Sequence, residues 1–135
     1  MEIVTFLAAD YANIADHGKL NVMGIFANIY AQIFPAQHPS MFLVIKLRPQ
    51  LGEYGKERKI TILLQDADGK ELLSLSNDIK IPEVNQGNIP EVNAILQFNN
   101  IVFAKPGVYR FVLLVDKDHK GALDIHVSQS DIQIG

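Results

Sequence analysis

The chain has 135 residues, 48% of them hydrophobic and 20% charged, with no Cys, no Trp and a formal net charge of -3. At this length one domain over residues 1–135 is expected, burying roughly two-thirds of the surface its unfolded chain exposes. The missing thiols exclude disulfides, iron–sulfur clusters, Cys-ligated zinc and Cys nucleophiles. Mild acidity argues against a phosphate-neutralising surface, and the apolar content argues against disorder.

In chain order, Ile3 to Ala9 is a continuous apolar run and reads as a buried strand. No basic segment precedes it and no apolar run approaches the roughly 18 residues of a membrane span, so neither a signal peptide nor a membrane segment is expected. The default location is cytoplasmic. Ala8, Ala9, Ala12 and Ala15 around Tyr11 offer a foothold for a helical turn, although a strand running on to the Asp16-His17-Gly18-Lys19 turn fits equally well. Leu20, Val22, Gly24 and Phe26 then alternate, Phe34-Pro35 closes a segment with Ile29 and Ile33, and Pro39 breaks the chain before the run Met41 to Leu47. A Gly-containing surface loop follows from Pro49 to Glu57, in which Tyr54 lies between two glycines. An exposed Tyr there can anchor an interface, or it can fold back over the sheet.

Ile60, Ile62 and Leu64 form a strand, Asp66-Ala67-Asp68-Gly69 a hairpin turn, and Leu73 and Leu75 the return strand. The Asp-Gly pair supplies the positive φ that tight hairpins need. Ile79 and Ile81 read as a short separate strand ending at Pro82. A direct repeat comes next: Ile81-Pro82-Glu83-Val84-Asn85 recurs as Ile89-Pro90-Glu91-Val92-Asn93 around Gly87. The prolines keep both arms out of a central strand, so Val84 and Ile89 are candidates for docking a partner or a second copy from a protruding loop. Val92 to Val102, Val108 to Val115, and Leu123, Ile125 and Val127 complete the alternating runs; the last two flank a turn from Asp116 to Gly121. Ile132 and Ile134 would extend a final edge.

About eight short strands with turns every 8–12 residues predict an all-β, antiparallel immunoglobulin-like sandwich of about seven to nine strands, with a small β-barrel as the alternative. Tyr109, just after Pro106-Gly107, matches the corner tyrosine of such sandwiches, whose hydroxyl bonds a nearby backbone group. This would make Val108–Val115 a central strand and the final hairpin its edge partner.

Ala9-Asp10-Tyr11-Ala12, Gly18-Lys19-Leu20-Asn21-Val22-Met23-Gly24-Ile25-Phe26, Phe34-Pro35, Asp66-Ala67-Asp68-Gly69, Phe98-Asn99-Asn100 and Pro106-Gly107-Val108-Tyr109-Arg110-Phe111 occur in this order. In this the chain resembles a family of short uncharacterised bacterial proteins, a domain of unknown function. The resemblance implies a β-sandwich and brings no activity or catalytic residue.

Chemistry-bearing clusters are sparse. Asp116, Asp118, His119, Asp124 and His126 are the densest set of possible metal ligands, with Asp124 and His126 on one strand face, but Lys117 and Lys120 sit among them and oppose a cation. Asp66-x-Asp68-Gly69 departs from calcium-loop spacing. Asp10, Asp16 and His17 could form a carboxylate–imidazole pair, without a nucleophile elbow or phosphate-cradling loop beside them. Asp10 ends an apolar run, which suggests a buried carboxylate bonded to backbone amides. No catalytic residue and no cofactor is expected, and nucleic acid is set aside because the basic residues are dispersed among more numerous acids. The reading that remains is a non-catalytic module that binds a protein partner or itself. A structural component of a phage-derived or other bacterial assembly is the alternative, and a metal-dependent enzyme using the Asp116–His126 cluster is the next.

Overall fold

A computed structural model describes residues 1–83, 87 and 90–130. Among these, the strands in chain order are β1 (Glu2–Ile14), β2 (Leu20–Phe26), β3 (Asn28–Ala31), β4 (Ala36–Arg48), β5 (Glu57–Gln65), β6 (Glu71–Lys80), β7 (Val92–Phe103), β8 (Gly107–Val115) and β9 (Asp118–Gln129). They form two sheets packed face to face, ordered β2-β1-β4-β7 and β3-β9-β8-β5-β6, and one sheet is curled into a half-barrel. The protein is therefore an all-β sandwich rather than a closed barrel.

The inner faces follow from period-two patterning. Met41, Leu43, Ile45 and Leu47 of β4 are fully buried and meet Ile62 and Leu64 of β5, Phe111 and Leu113 of β8 and Ile125 of β9 in one apolar core. Each such side chain contributes about 1.5–3 kcal/mol by leaving water, and alternation fixes the register because a one-residue slip would turn the whole set outward. No polar or charged residue is buried among the described residues. Tyr109 is where its motif places it: its hydroxyl donates to the Lys105 carbonyl at 2.6 Å, and its ring stands edge-on to Phe103 at 4.7 Å.

Several expectations are corrected. Of the two readings left open after Ala8, the strand is the one found: Ala9 and Ala12 lie in β1, which pairs with β2 as far as Ile14↔Leu20, and Ala15 follows it. Pro39 lies inside β4: the register passes from His38↔Ile101 to Ser40↔Asn99, and pairing with β1 stops at Ala9↔Phe42. The nitrogen that has no hydrogen to donate thus falls where β1 has already left β4. Ile79 belongs to β6, and Ile81 is a buried residue beyond it. The turn expected at Asp116 to Gly121 is only Asp116-Lys117, because Asp118 already pairs with Val115; Asp116 itself takes the positive φ of 56°. The sandwich is not wholly antiparallel either. β3 runs parallel to β9, so β9 is an interior strand and not the edge.

The two flanks differ. On one, β1 packs against β9, and a Cβ on Gly121 would lie 2.7 Å from the Ile3 Cδ1. On the other, β6 and β7 are both outermost strands.

Candidate interaction site

β6 pairs only with β5, and β7 only with β4. Leu73, Leu75, Asn77 and Ile79 share the inward face of β6, opposite Leu64, Ile62, Ile60 and Arg58 of β5. The facing sheet has four strands against five, and among the described residues no strand lies squarely over that face. Leu75 points inward yet remains 37% exposed. The result is a cleft of about 320 Å³ lined by Ile60, Leu75 and Ile79 on one side and Ala94, Ile95 and Leu96 on the other, with Asn77 and Asp78 also lining it.

Edge strands carry unpaired backbone donors and acceptors, which proteins usually blunt with charge, shortness or backbone irregularity. Three of the four sheet edges have such a device. β3 is four residues long. β6 carries Glu71, Asp78 and Lys80. β2 is interrupted by Gly24, whose φ of 69° places it in the left-handed region and whose missing Cβ would meet the Asp10 Oδ2 at 2.5 Å. β7 has none of these from Val92 to Asn99, where its register with β4 is unbroken and every residue is uncharged and not proline.

The Tyr54 loop and Ile81, the first residue of the repeat, meet beside this flank. Tyr54 is half-buried and packs against the core, so the expectation of an exposed ring is replaced by the folded-back one. The next residue, Gly55, donates its N–H to the Ile81 carbonyl at 3.1 Å, and Ile81 donates to the Lys56 carbonyl at 2.9 Å. These bonds tie the Tyr54 loop to the start of the repeat loop, two residues beyond the cleft-lining Ile79. Val84 and Ile89 lie outside the described residues.

An ionic cluster that sequence reading missed fixes the same loop. The Met1 ammonium donates to the Glu53 Oε1 at 2.6 Å, the Gln50 N–H donates to the same oxygen at 2.9 Å, and Arg58 Nε lies 3.4 Å from Oε2. Arg58 also lies 3.5 Å from Asp116, which accepts from the Lys59 N–H. Burial pushes the Glu53 carboxyl up, but the ammonium, the Gln50 amide and Arg58 together outweigh it and hold the pKa below 4.5. The partners are 52 residues apart in sequence, so no local pattern could reveal them.

The other candidates do not assemble into a site. Asp118 and His119 are exposed at the start of β9, whereas Asp124 and His126 face outward further along it. Asp124 is held by Arg110, whose Nε donates to Oδ1 at 2.8 Å and whose Nη2 donates to Oδ2 at 3.3 Å; these bonds lower the Asp124 pKa. Among the described residues no three His, Asp or Glu side chains converge as a metal site would require. Asp66 Oδ1 accepts from the Asp68 and Lys70 N–H groups, and Gly69 has a φ of 83°, the chemistry of a hairpin turn. Asp16 and His17 occupy a 3-10 turn beyond β1. Asp10 is exposed rather than buried, because it projects over Gly24 on an edge strand. Its field reaches His38, which no sequence pattern singles out. His38 stacks obliquely on Phe26 at 5.8 Å, and its Nε2 is buried without a hydrogen-bond partner. Burial lowers the His38 pKa below 6.5, against the opposing pull of Asp10.

The chain belongs to DUF6941, a family of unknown function whose profile matches residues 4–128. The turn and strand motifs that suggested a domain of unknown function lie within or overlap that span. No curated protein matches the chain. Among the described residues no helix is long and apolar enough to cross a membrane.

Proposed function

We propose that this member of DUF6941 is a non-catalytic interaction module that works by contact through the flank between β6 and β7. The observation that carries the reading is the β7 edge: eight consecutive uncharged residues in unbroken register, beside an apolar cleft. A strand added there would satisfy the free backbone groups of β7 and cover Leu75 and Leu96, combining main-chain hydrogen bonds with side-chain pockets. The scaffold is of the immunoglobulin-like kind. This is supported by the Tyr109 corner and by the placement of β8 between β5 and β9. On this reading the protein serves in a bacterial cytoplasm, with protein partners or copies of itself.

The test compares two baits in a pull-down from source cells: the native chain, and Gln97→Lys, which places a charge on the exposed outer face of β7. Loss of the captured chains with Gln97→Lys, together with their retention by the outward-facing control Ser128→Lys on β9, is the expected result. Identical capture by both baits, or specific capture by neither, contradicts the proposal.

A further inference from the structure

We infer that the occupant of this flank is a second copy of the chain, its β7 running antiparallel to the first about a two-fold axis at Ile95; the inference rests on the interaction reading above. β7 reads Val92-Asn93-Ala94-Ile95-Leu96-Gln97-Phe98. An antiparallel pair centred on Ile95 sets Val92 opposite Phe98, Asn93 opposite Gln97 and Ala94 opposite Leu96, each twice, with Ile95 facing itself. Small side chains then meet large ones on the cleft side, where Ala94 and Leu96 already line the apolar wall. On the outer side Gln97 meets Asn93, a neutral side chain whose Nδ2 is held by the Gly18 carbonyl at 2.9 Å, so no charge opposes the pairing there. Like charges directly opposite would oppose such pairing, and this stretch has none.

A two-fold interface is isologous, so a strand must be compatible with its own reverse. The other edges are less suited to that requirement. β3 offers four residues, β2 carries the left-handed Gly24 near its centre, and β6 would bring its own Asp78 and Glu71 into the pairing. Pairing through β7 joins the two four-stranded sheets into one continuous eight-stranded sheet. It also places each copy beside the exposed inward face of the other's Leu75.

The register gives a sharp test, because the native chain has no Cys. In Ile95→Cys, the two thiols would lie directly opposite, at about the Cβ spacing a disulfide can bridge. In Gln97→Cys they would be four residues apart, roughly 13 Å, beyond reach. Oxidation should therefore yield a disulfide dimer of Ile95→Cys about tenfold faster or more than of Gln97→Cys. Light scattering of the native chain at tens of micromolar should give twice the 15.0 kDa chain mass. Ile95→Lys and Ile95→Glu should each be monomeric, and an equimolar mixture of the two should recover the dimer, since Lys then faces Glu. That recovery also shows that neither variant has simply misfolded.

A native chain that stays at 15.0 kDa, a dimer in which Gln97→Cys crosslinks as fast as Ile95→Cys, or a mixture that stays monomeric overturns the inference. Self-pairing can fail while the Gln97→Lys bait still loses captured partners. In that event the interaction reading stands and the second copy does not.

Discussion

The two flanks of the sandwich handle the same problem in opposite ways. Where β1 meets β9, a large side chain fills the gap: Ile3 reaches onto Gly121, and the outermost strands β2 and β3 are kinked or short. Where β6 meets β7, the inward face of β6 is left partly bare and the β7 edge is regular and neutral from Val92 to Asn99, up to the left-handed Asn100. Closure costs little sequence, since one Gly and one Ile suffice. Among the described residues the other flank has no such filler, and the proposed interaction rests on that asymmetry.

This contrast orders the expected effects of substitution. On the closed flank, Ile3→Ala should remove a packing wedge and cost about 2 kcal/mol, whereas Leu75→Ala on the open flank should cost about 1 kcal/mol or less in the isolated chain. Urea unfolding at low protein concentration measures both, and equal losses would erase the distinction between the flanks. Gly24→Ala should cost about 2 kcal/mol, because it combines a positive φ with a clash against the Asp10 carboxylate. In an Asp10→Ala background the clash is gone and the penalty should fall to about 1 kcal/mol.

The pH dependence is smaller and reports on each flank separately. His38, beside β1 and β2, has its folded pKa lowered by burial from 6.5. Between the folded pKa and 6.5 the unfolded chain therefore binds more protons, and stability present above pH 6.5 is lost as the pH falls through that window. Asp10 opposes this shift, so Asp10→Asn should lower the His38 pKa further and deepen the loss, and His38→Gln should abolish it. Glu53, at the base of the open flank, has its folded pKa held below 4.5. Its contribution is present above pH 4.5 and lost as the pH falls through the folded pKa, so Glu53→Gln should flatten only this lower step. Thermal melting from pH 7 to pH 3 resolves both steps. Smallest of all should be the effect of Arg110→Ala or Asp124→Ala on melting temperature, because that ion pair is largely solvated.

The sheet-forming residues were legible where burial on one face writes period two into the chain, as at Ile60, Ile62 and Leu64; Met41 to Leu47 was legible instead as a short continuous apolar run, with Val44 fully buried between the inward residues. The Asp66–Gly69 hairpin and the Tyr109 corner were legible because each depends on local chemistry, a left-handed Gly or a hydroxyl four residues from its acceptor. Pro39 misled because a proline breaks a strand only where its N–H would be needed, and that depends on which neighbour lies beside it. The parallel β3–β9 pair, the Met1–Glu53–Arg58 cluster and the cleft all arise from contacts between distant segments, so no window of sequence encodes them. Tyr54 and the first residue of the repeat lie beside the proposed flank, but not as the protruding contacts the sequence suggested. Their loops are tied beside it through Gly55 and Ile81, while the exposed edge itself looked in sequence like any other strand.

Amide hydrogen exchange along β7 tests the central claim most directly. If β7 is the working edge, alternate amides from Val92 to Asn99, those pointing away from β4, should exchange freely in dilute protein and slow markedly as concentration rises or a captured partner is added, while β2 and β6 stay unchanged. Protection that appears at β2 or β6 instead, or a β7 whose outward amides exchange at one rate under all these conditions, would contradict the account.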